Sequence, residues 1–485
     1  MLSSLFGRLP DVAALGAHVG ATPFSQARKI IPSVEPKSGN DCSICGLRGW
    51  LHSVLDMRRR AIAHFSSARA AITRHRQNKS SLEKVASSQS RHGLDWMNFF
   101  VADVQEGFGA FVAFYLADLK WSQGSVGEVL TIGRVASALS LIPGGALTDA
   151  VRWKRALIAT GIITLAAAAL ILALHPTFLF VSLAETLHGV TAGIMTPAIA
   201  AISLGIVGRR AMSSRIGRNH RFNAAGNALT AAGMGALATY VGKSMIFFAA
   251  AALTLPALLA LSFIRRDEID HDRARNAGKD QEGRPALQGF TALLKNRQLL
   301  WFTCGAILFQ LADASMLALA VEDVGRAGST QSSLIASAMI VAPQLVVAML
   351  APWVGYLSEL WGRKPLLLAS FAVQIIRAVL FGFIDSTTLL VAVQLLDGIS
   401  GAVRSVLTTV IVADVTTGTG RFNIARGAVG LVIAISASVS TIAFGFVAQA
   451  LGHWAAFLSM AAAAAAGGLV IWFLFDETKP AEYID

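Results

Sequence analysis

The stretch Gly355-Tyr356-Leu357-Ser358-Glu359-Leu360-Trp361-Gly362-Arg363-Lys364 decides the fold, because its key positions occur 210 residues earlier as Gly145, Leu147, Asp149 and Lys154. Asp103 and Asp313 stand at the same offset. A constant offset over five positions means two related halves. Both copies lie between apolar segments long enough to cross a bilayer, the arrangement of a transporter built from repeats.

Outward from that repeat, runs of about 20 apolar residues fall near 96–116, 125–147, 156–174, 178–207, 222–241 and 245–264. After a polar break they resume near 299–320, 332–357, 365–384, 388–412, 424–449 and 454–475. The expected fold class is an all-α membrane protein of twelve transmembrane helices in two pseudo-symmetric six-helix bundles. Pro197, Pro256 and Pro343 are expected to bend their helices rather than end them. Composition agrees: 54% of residues are apolar, 14% are charged and the mean hydropathy is +0.58, outside the range of a soluble domain.

The chain divides into a basic N-terminal tail (1–93), an N-terminal bundle (94–264), a central loop (265–298), a C-terminal bundle (299–476) and a short tail (477–485). Residues 1–93 hold 14 Lys or Arg and five acidic residues with no spanning segment, which reads as a disordered cytoplasmic tail. A basic amphipathic helix on anionic lipid from Arg58 to Arg76 is the alternative, and a start site assigned too far upstream is another. Cys42 and Cys45 have half the spacing of a zinc site but lack a second pair, so no metal is expected.

Most Lys and Arg outside the tail lie in the loops after helices 2, 4, 6, 8 and 10, whereas the opposite loops hold only Lys120, Lys243 and Arg326. By the positive-inside rule both termini are cytoplasmic, in a plasma membrane (bacterial inner membrane). The formal charge of +12 is thus a topology signal, and no nucleic-acid partner is expected. The expected partners are the bilayer and a small solute, with the chain acting as a monomer.

The paired loops resemble the signature of the major facilitator superfamily, Gly-x-Leu-x-Asp-x-x-Gly-Arg-Lys after helix 2 and again after helix 8, over residues 95–477. Arg152 and Trp153 depart from it in the first copy, and Glu359 replaces Asp in the second. The resemblance implies a cytoplasmic latch, closed in the outward-facing state, at Gly145, Asp149, Lys154, Gly355, Glu359, Arg363 and Lys364. The alternative is that these charges only set topology. Arg221-Phe222-Asn223 and Arg421-Phe422-Asn423 form a second echo, offset by 200, which requires ten residues lost between them. Each Asn is expected to cap a helix start.

Charged groups inside the spans cost about 2.5 to 3.5 kcal/mol each at a helix centre and so need a reason to be there. Asp103, Glu106, Glu185, Asp313, Asp397, Arg134, Arg377 and Arg404 meet that description. Five acids against three bases suggest a proton or cation site. Asp103 and Asp313 are expected to face each other across a central cavity, with Glu106 one turn from Asp103; the alternative locks each acid to Arg134, Arg377 or Arg404. Where the family often has Arg four residues before a helix 4 Gly, this chain has Glu185 before Gly189, with His188 one turn away. Arg404, two turns from Asp397, either binds an anionic substrate or neutralises Asp397 or Asp313, and the pair is preferred.

Helix 5 lacks the Gly-Pro pair of the superfamily's drug antiporters, and residues 265–297 lack the sugar porters' Pro-Glu-Ser-Pro-Arg. No metal-protease, nucleophile-elbow or phosphate-loop motif occurs, so neither an enzyme nor an ATP-driven pump is expected, and no cofactor is needed. The functional expectation is a secondary active transporter of a small solute working by alternating access, proton-coupled with a proton gradient as energy source, with export slightly favoured. The alternatives are an uncoupled facilitator and a non-transporting receptor.

Overall fold

The structure, a computed structural model, describes residues 87–106, 108–277, 295–326, 332–384 and 386–479. The basic tail through residue 86, including Cys42 and Cys45, lies outside the described residues, as do 278–294 of the central loop.

The N-terminal half comprises α1 (Ser88–Glu106), α2 (Phe108–Asp118), α3 (Gln123–Ala150), α4 (Lys154–Leu174), α5 (Phe178–Val207), α6 (Met212–Tyr240) and α7 (Met245–Ser262). A 3-10 turn, Arg266–Glu268, and the single-turn α8 (His271–Ala274) follow. The C-terminal half comprises α9 (Arg297–Asp313), α10 (Met316–Arg326), α11 (Ser332–Trp361), α12 (Arg363–Phe383), α13 (Thr387–Val415), α14 (Phe422–Leu451) and α15 (His453–Leu474).

Every expected span lies on these helices. Ten spans are apolar and long enough to cross a membrane among the described residues. Two expected spans fall outside that set for physical reasons. Residues 96–116 are divided between α1 and α2, on either side of residue 107. α6 has 29 residues but starts ten before its apolar stretch, in a polar segment with Arg215, Arg218 and Asn219. Asp95 makes that polar start affordable: with no exposed surface, it pairs with Arg215 and, at 2.6 Å, with Arg218.

The tail boundary moves as well. Ser88 to Gly93 belong to α1, whose start is tied down by Ser87 N–H donating to Glu268 at 3.0 Å. The expected central loop, 265–298, is partly ordered, and Asn296 caps α9 by accepting from Leu299 N–H at 3.2 Å. The expected span 299–320 is interrupted between α9 and α10, where Ser315 Oγ meets Ser440 Oγ of α14 at 2.9 Å.

Each half buries its own apolar core. One runs from Leu94 through Leu165 and Phe247 to Ile269. The other centres on Phe371, Val406 and Phe457, and admits Ala200, Leu204, Met212 and Ile216 from the first half. The halves therefore join at the α5–α6 end, which is the end carrying the repeated motif.

Candidate functional site: a gate and a buried charge cluster

At the motif end two glycine pairs bring the halves into backbone contact. A Cβ on Gly145 would collide with the Asn423 carbonyl, and one on Gly355 with the Ser213 carbonyl. Likewise Gly427 backs onto Leu141 and Gly217 onto Ala351. All four contacts obey the 210 offset: 145/355, 423/213, 427/217 and 141/351. The duplication thus extends through α6 and α14, which begin at Met212 and Phe422. This corrects the Arg-Phe-Asn echo. Arg421-Phe422-Asn423 opens α14, whereas Arg221-Phe222-Asn223 lies about ten residues inside α6, so the two are not equivalent and no residues were lost between them.

Asp149, 3% exposed at the end of α3, accepts from Asn423 Nδ2 at 2.7 Å, Ile424 N–H at 2.9 Å and Asn423 N–H at 3.4 Å. A carboxylate from one half therefore caps a helix N-terminus of the other, where the positive end of the dipole favours it. Asn423 does not cap its own helix, as the sequence suggested; its amide also donates to Ala274 O at 3.1 Å. Lys154, nearly fully buried, donates to Val151 O at 2.7 Å and so closes the same C-terminal end of α3.

The second copy uses different partners. Arg363 bonds Asp414 at 2.9 Å and Ser358 O at 2.6 Å, while Glu477 of the C-terminal segment accepts from Arg363 N–H and Lys364 N–H at 2.8 and 3.0 Å. Gly362, at φ +95°, leaves room for that carboxylate. Glu359, half-buried near the end of α11, is the counterpart of Asp149.

A strap after α7 crosses the same end. Asp270 N–H donates to Gly205 O of α5, while Asn276 Nδ2 donates to Ala413 O of α13 at 2.6 Å and Asn276 O accepts from Gly420 N–H. Burial follows this closure. On α14, residues 422–425, 427 and 429 are buried, but 441–443, 446, 449 and 450 are exposed. On α3, 144, 145, 148 and 149 are buried, but 124, 127, 128, 131, 134, 135 and 139 are exposed. The halves meet at the motif end and offer surface away from it.

Within the C-terminal half, three helices bring charges together. Nη1 of Arg377 (α12) bonds Asp313 (α9) at 2.7 Å and Asp397 (α13) at 2.8 Å. Gln374 donates to Asp313 at 3.0 Å, Arg377 Nη2 donates to Gln394 at 3.2 Å, and Gln394 donates to Asp397 at 3.3 Å. Arg377 is 1% exposed, against 13% for the side chain of Asp313 and 27% for that of Asp397, so Asp397 is the acid that water reaches most readily. Arg404, which the sequence reading preferred as a partner of Asp397 or Asp313, acts on both through charge without bonding either. Among the described residues it makes no ion pair within 4 Å, and its guanidinium lies 5.9 Å over the Phe309 ring.

Glu185 is 4% exposed, Oε1 has no hydrogen-bond partner, and Gly133 backs onto its carboxylate. Arg134, next along α3, is exposed and acts on Glu185 through charge without an ion pair. His188 is half-buried one turn further along α5. The side chains of Asp103 and Glu106 lie outside the described residues, and so does their facing toward Asp313.

Sequence reasoning missed Asp95, Asp414, Arg426 and His220. Each lies within two or three residues of an expected span edge, where a charge reads as an ordinary boundary.

Two pseudo-symmetric helical halves closed over one end, with paired charges inside, define a multi-pass membrane transporter. The sequence profile of the Major Facilitator Superfamily matches residues 94–325 and 304–484, and the chain belongs to that superfamily; it is a transporter, not an enzyme. Proteins described as uncharacterized MFS-type transporters in Mycobacterium tuberculosis strains H37Rv and CDC 1551 are 39% identical over 389 residues, 79% of this chain and 93% of theirs. Among solved structures, an outward-conformation FucP superposes with a TM-score of 0.64 at 14% identity, over 79% of this chain and 98% of its own. The nucleoside transporter NupG gives 0.57 at 15% identity, over 80% and 100%. Those likenesses carry the fold.

Proposed function

We propose that this transporter is a proton-coupled secondary carrier of a small solute, working by alternating access in a bacterial plasma membrane. Both termini and the motif end face the cytoplasm, as the positive-inside pattern favours, and export is slightly favoured over import. One chain supplies both halves, so a monomer is complete. No cofactor is required, because the proton gradient supplies the energy.

The observation that carries the reading is the sharing of one Arg377 nitrogen by Asp313 and Asp397. Two carboxylates bonded to one guanidinium leave one negative charge within the hydrogen-bonded cluster, offset by Arg404 only at a distance, and a proton is the smallest ion that balances it. Asp397, the more exposed of the two, takes and releases that proton while Arg377 keeps Asp313. Closure of the motif end by Asp149 and the glycine contacts leaves the opposite end as the entry, and release of those contacts lets the halves rock the other way. FucP, an E. coli fucose:proton symporter that is similar in fold, supports the reading.

The ion pairs that hold both acids also favour a second reading, an uncoupled facilitator in which the cluster is only structural. Proteoliposomes with an imposed pH gradient separate the two. Uptake from a panel of labelled sugars, nucleosides, organic acids and drugs is measured with and without a protonophore. Coupling predicts gradient-driven accumulation that the protonophore abolishes; equilibration insensitive to it refutes coupling.

A further inference from the structure

Buried arginines of this chain come with acids: Arg215 with Asp95, Arg363 with Asp414, Arg377 with Asp313 and Asp397. The half-buried Arg404 and Arg426 differ. Among the described residues neither has a carboxylate within 4 Å. Arg404 Nε is buried with no hydrogen-bond partner. Arg426, on the second turn of α14, has its Nε on Thr409 Oγ1 at 3.3 Å and nothing stronger. The two guanidinium groups are close enough to repel one another, and both act on His220 of α6, which donates to the Ser405 carbonyl.

Among the described residues, no acid is bonded to either arginine of this cluster. Asp313 and Asp397 also feel Arg404, but both are already hydrogen-bonded to Arg377. Two like charges held together inside a bundle are costly unless an anion joins them. The cluster also straddles the halves. Arg404 and Arg426 belong to the second and His220 to the first, and Leu141 of α3 stands against Gly430, beside Arg426. Gly427, adjacent to Arg426, makes one of the gate contacts, so the cluster lies directly over the closed end. All three side chains are only partly buried.

We propose that Arg404 and Arg426, faced by His220 from the other half, bind the anionic group of the transported solute, a carboxylate or a phosphate. Guanidinium groups suit such oxygens because their N–H donors are fixed in a plane and permanently charged. The inference deepens the reading of the chain as a coupled carrier and rests on it for mechanism. An anion at Arg404 offsets the positive charge that Asp313 and Asp397 feel, and a proton on Asp397 restores the balance. Solute and proton are thereby linked through one side chain.

The test uses the purified full-length chain in detergent. Its unfolding midpoint is followed against inorganic phosphate, benzoate and citrate at constant ionic strength, with chloride as the reference. At least one anion should raise the midpoint saturably. Arg404→Gln and Arg426→Gln should each weaken its apparent affinity roughly tenfold or more, while Arg297→Gln, at an exposed helix start, should not. Should either Gln variant fold poorly, Arg404→Lys and Arg426→Lys keep the charge and should retain part of the affinity. No stabilisation of the wild type by any of the three anions overturns the proposal, as does equal stabilisation of the Gln variants. Proton-coupled transport of a neutral solute, unchanged in those variants, overturns the anion site and leaves coupling standing. Arg-dependent anion binding without proton movement does the reverse.

Discussion

Replacing Asp149 with Asn should open the motif end. The carboxylate holds three donors at the start of α14, two within 2.9 Å. Asn keeps one acceptor oxygen, turns an amide toward the other donor and removes the charge. A hydrogen bond to a charged group is worth about 1.5 to 3 kcal/mol, and a charge at a helix N-terminus up to about 2 kcal/mol when partly buried. The closed form should lose about 2 to 5 kcal/mol, a shift of roughly 30-fold to several thousand-fold toward the open form at about 1.4 kcal/mol per tenfold. Spin labels at Arg152→Cys and Thr417→Cys, both exposed at this end, report the separation by pulsed electron-electron resonance once Cys42, Cys45 and Cys304 are changed to Ser. The longer-distance population should grow to dominate in Asp149→Asn. An unchanged distribution in a folded variant would refute the assignment of Asp149 as the latch.

Other expectations follow from the same contacts. Gly145→Ala and Gly355→Ala should lengthen the same distance, because each Cβ meets a carbonyl of the other half, while Gly233→Ala, with open space around it, should be silent. Arg377→Gln leaves Asp313 and Asp397 unpaired in the bundle and should destabilise by about 3 to 5 kcal/mol, read as a lower unfolding midpoint. Asn276→Ala removes the bond to Ala413 O and should cost the strap about 1 to 3 kcal/mol, seen as faster amide exchange over 266–277. In that strap, burial and then the charges of Lys154 and Arg152 hold the His271 imidazole below its ordinary range. The folded strap thus prefers neutral His271, its stability is fullest above the unfolded value near pH ~6.5, and the protection of its amides, corrected for intrinsic exchange, should fall as pH drops below it. A pH-independent protection, or identical behaviour in His271→Gln, would contradict this.

Apolar length and the paired motif made the two-half membrane fold legible, because burying a backbone in lipid leaves few alternatives. The gate was half legible. Glycine and Asp at fixed spacing announced a close helix contact, but the partner, Asn423, appears only when α14 of the other half is brought alongside. The false equivalence of the two Arg-Phe-Asn stretches shows why: three matching residues carry less than the register of the helices that bear them. Asp313, Arg377 and Asp397 were each visible as charges in apolar spans. Their sharing of one nitrogen was not, since it joins three helices across 64 and 20 residues. Arg426 escaped notice because it lies two residues inside an expected span, where Arg reads as an end marker. Its lack of an acid among the described residues is a property of neighbouring helices that periodicity does not encode.

The most direct measurement is proton movement driven by solute in proteoliposomes carrying an internal pH dye, with wild type beside Asp397→Asn and Asp313→Asn. Solute addition should shift internal pH in the wild type, and Asp397→Asn should abolish that shift at an unchanged protein level. Solute transport without any proton flux in the wild type, or an undiminished flux in both variants, would contradict coupling through the Asp313–Arg377–Asp397 cluster.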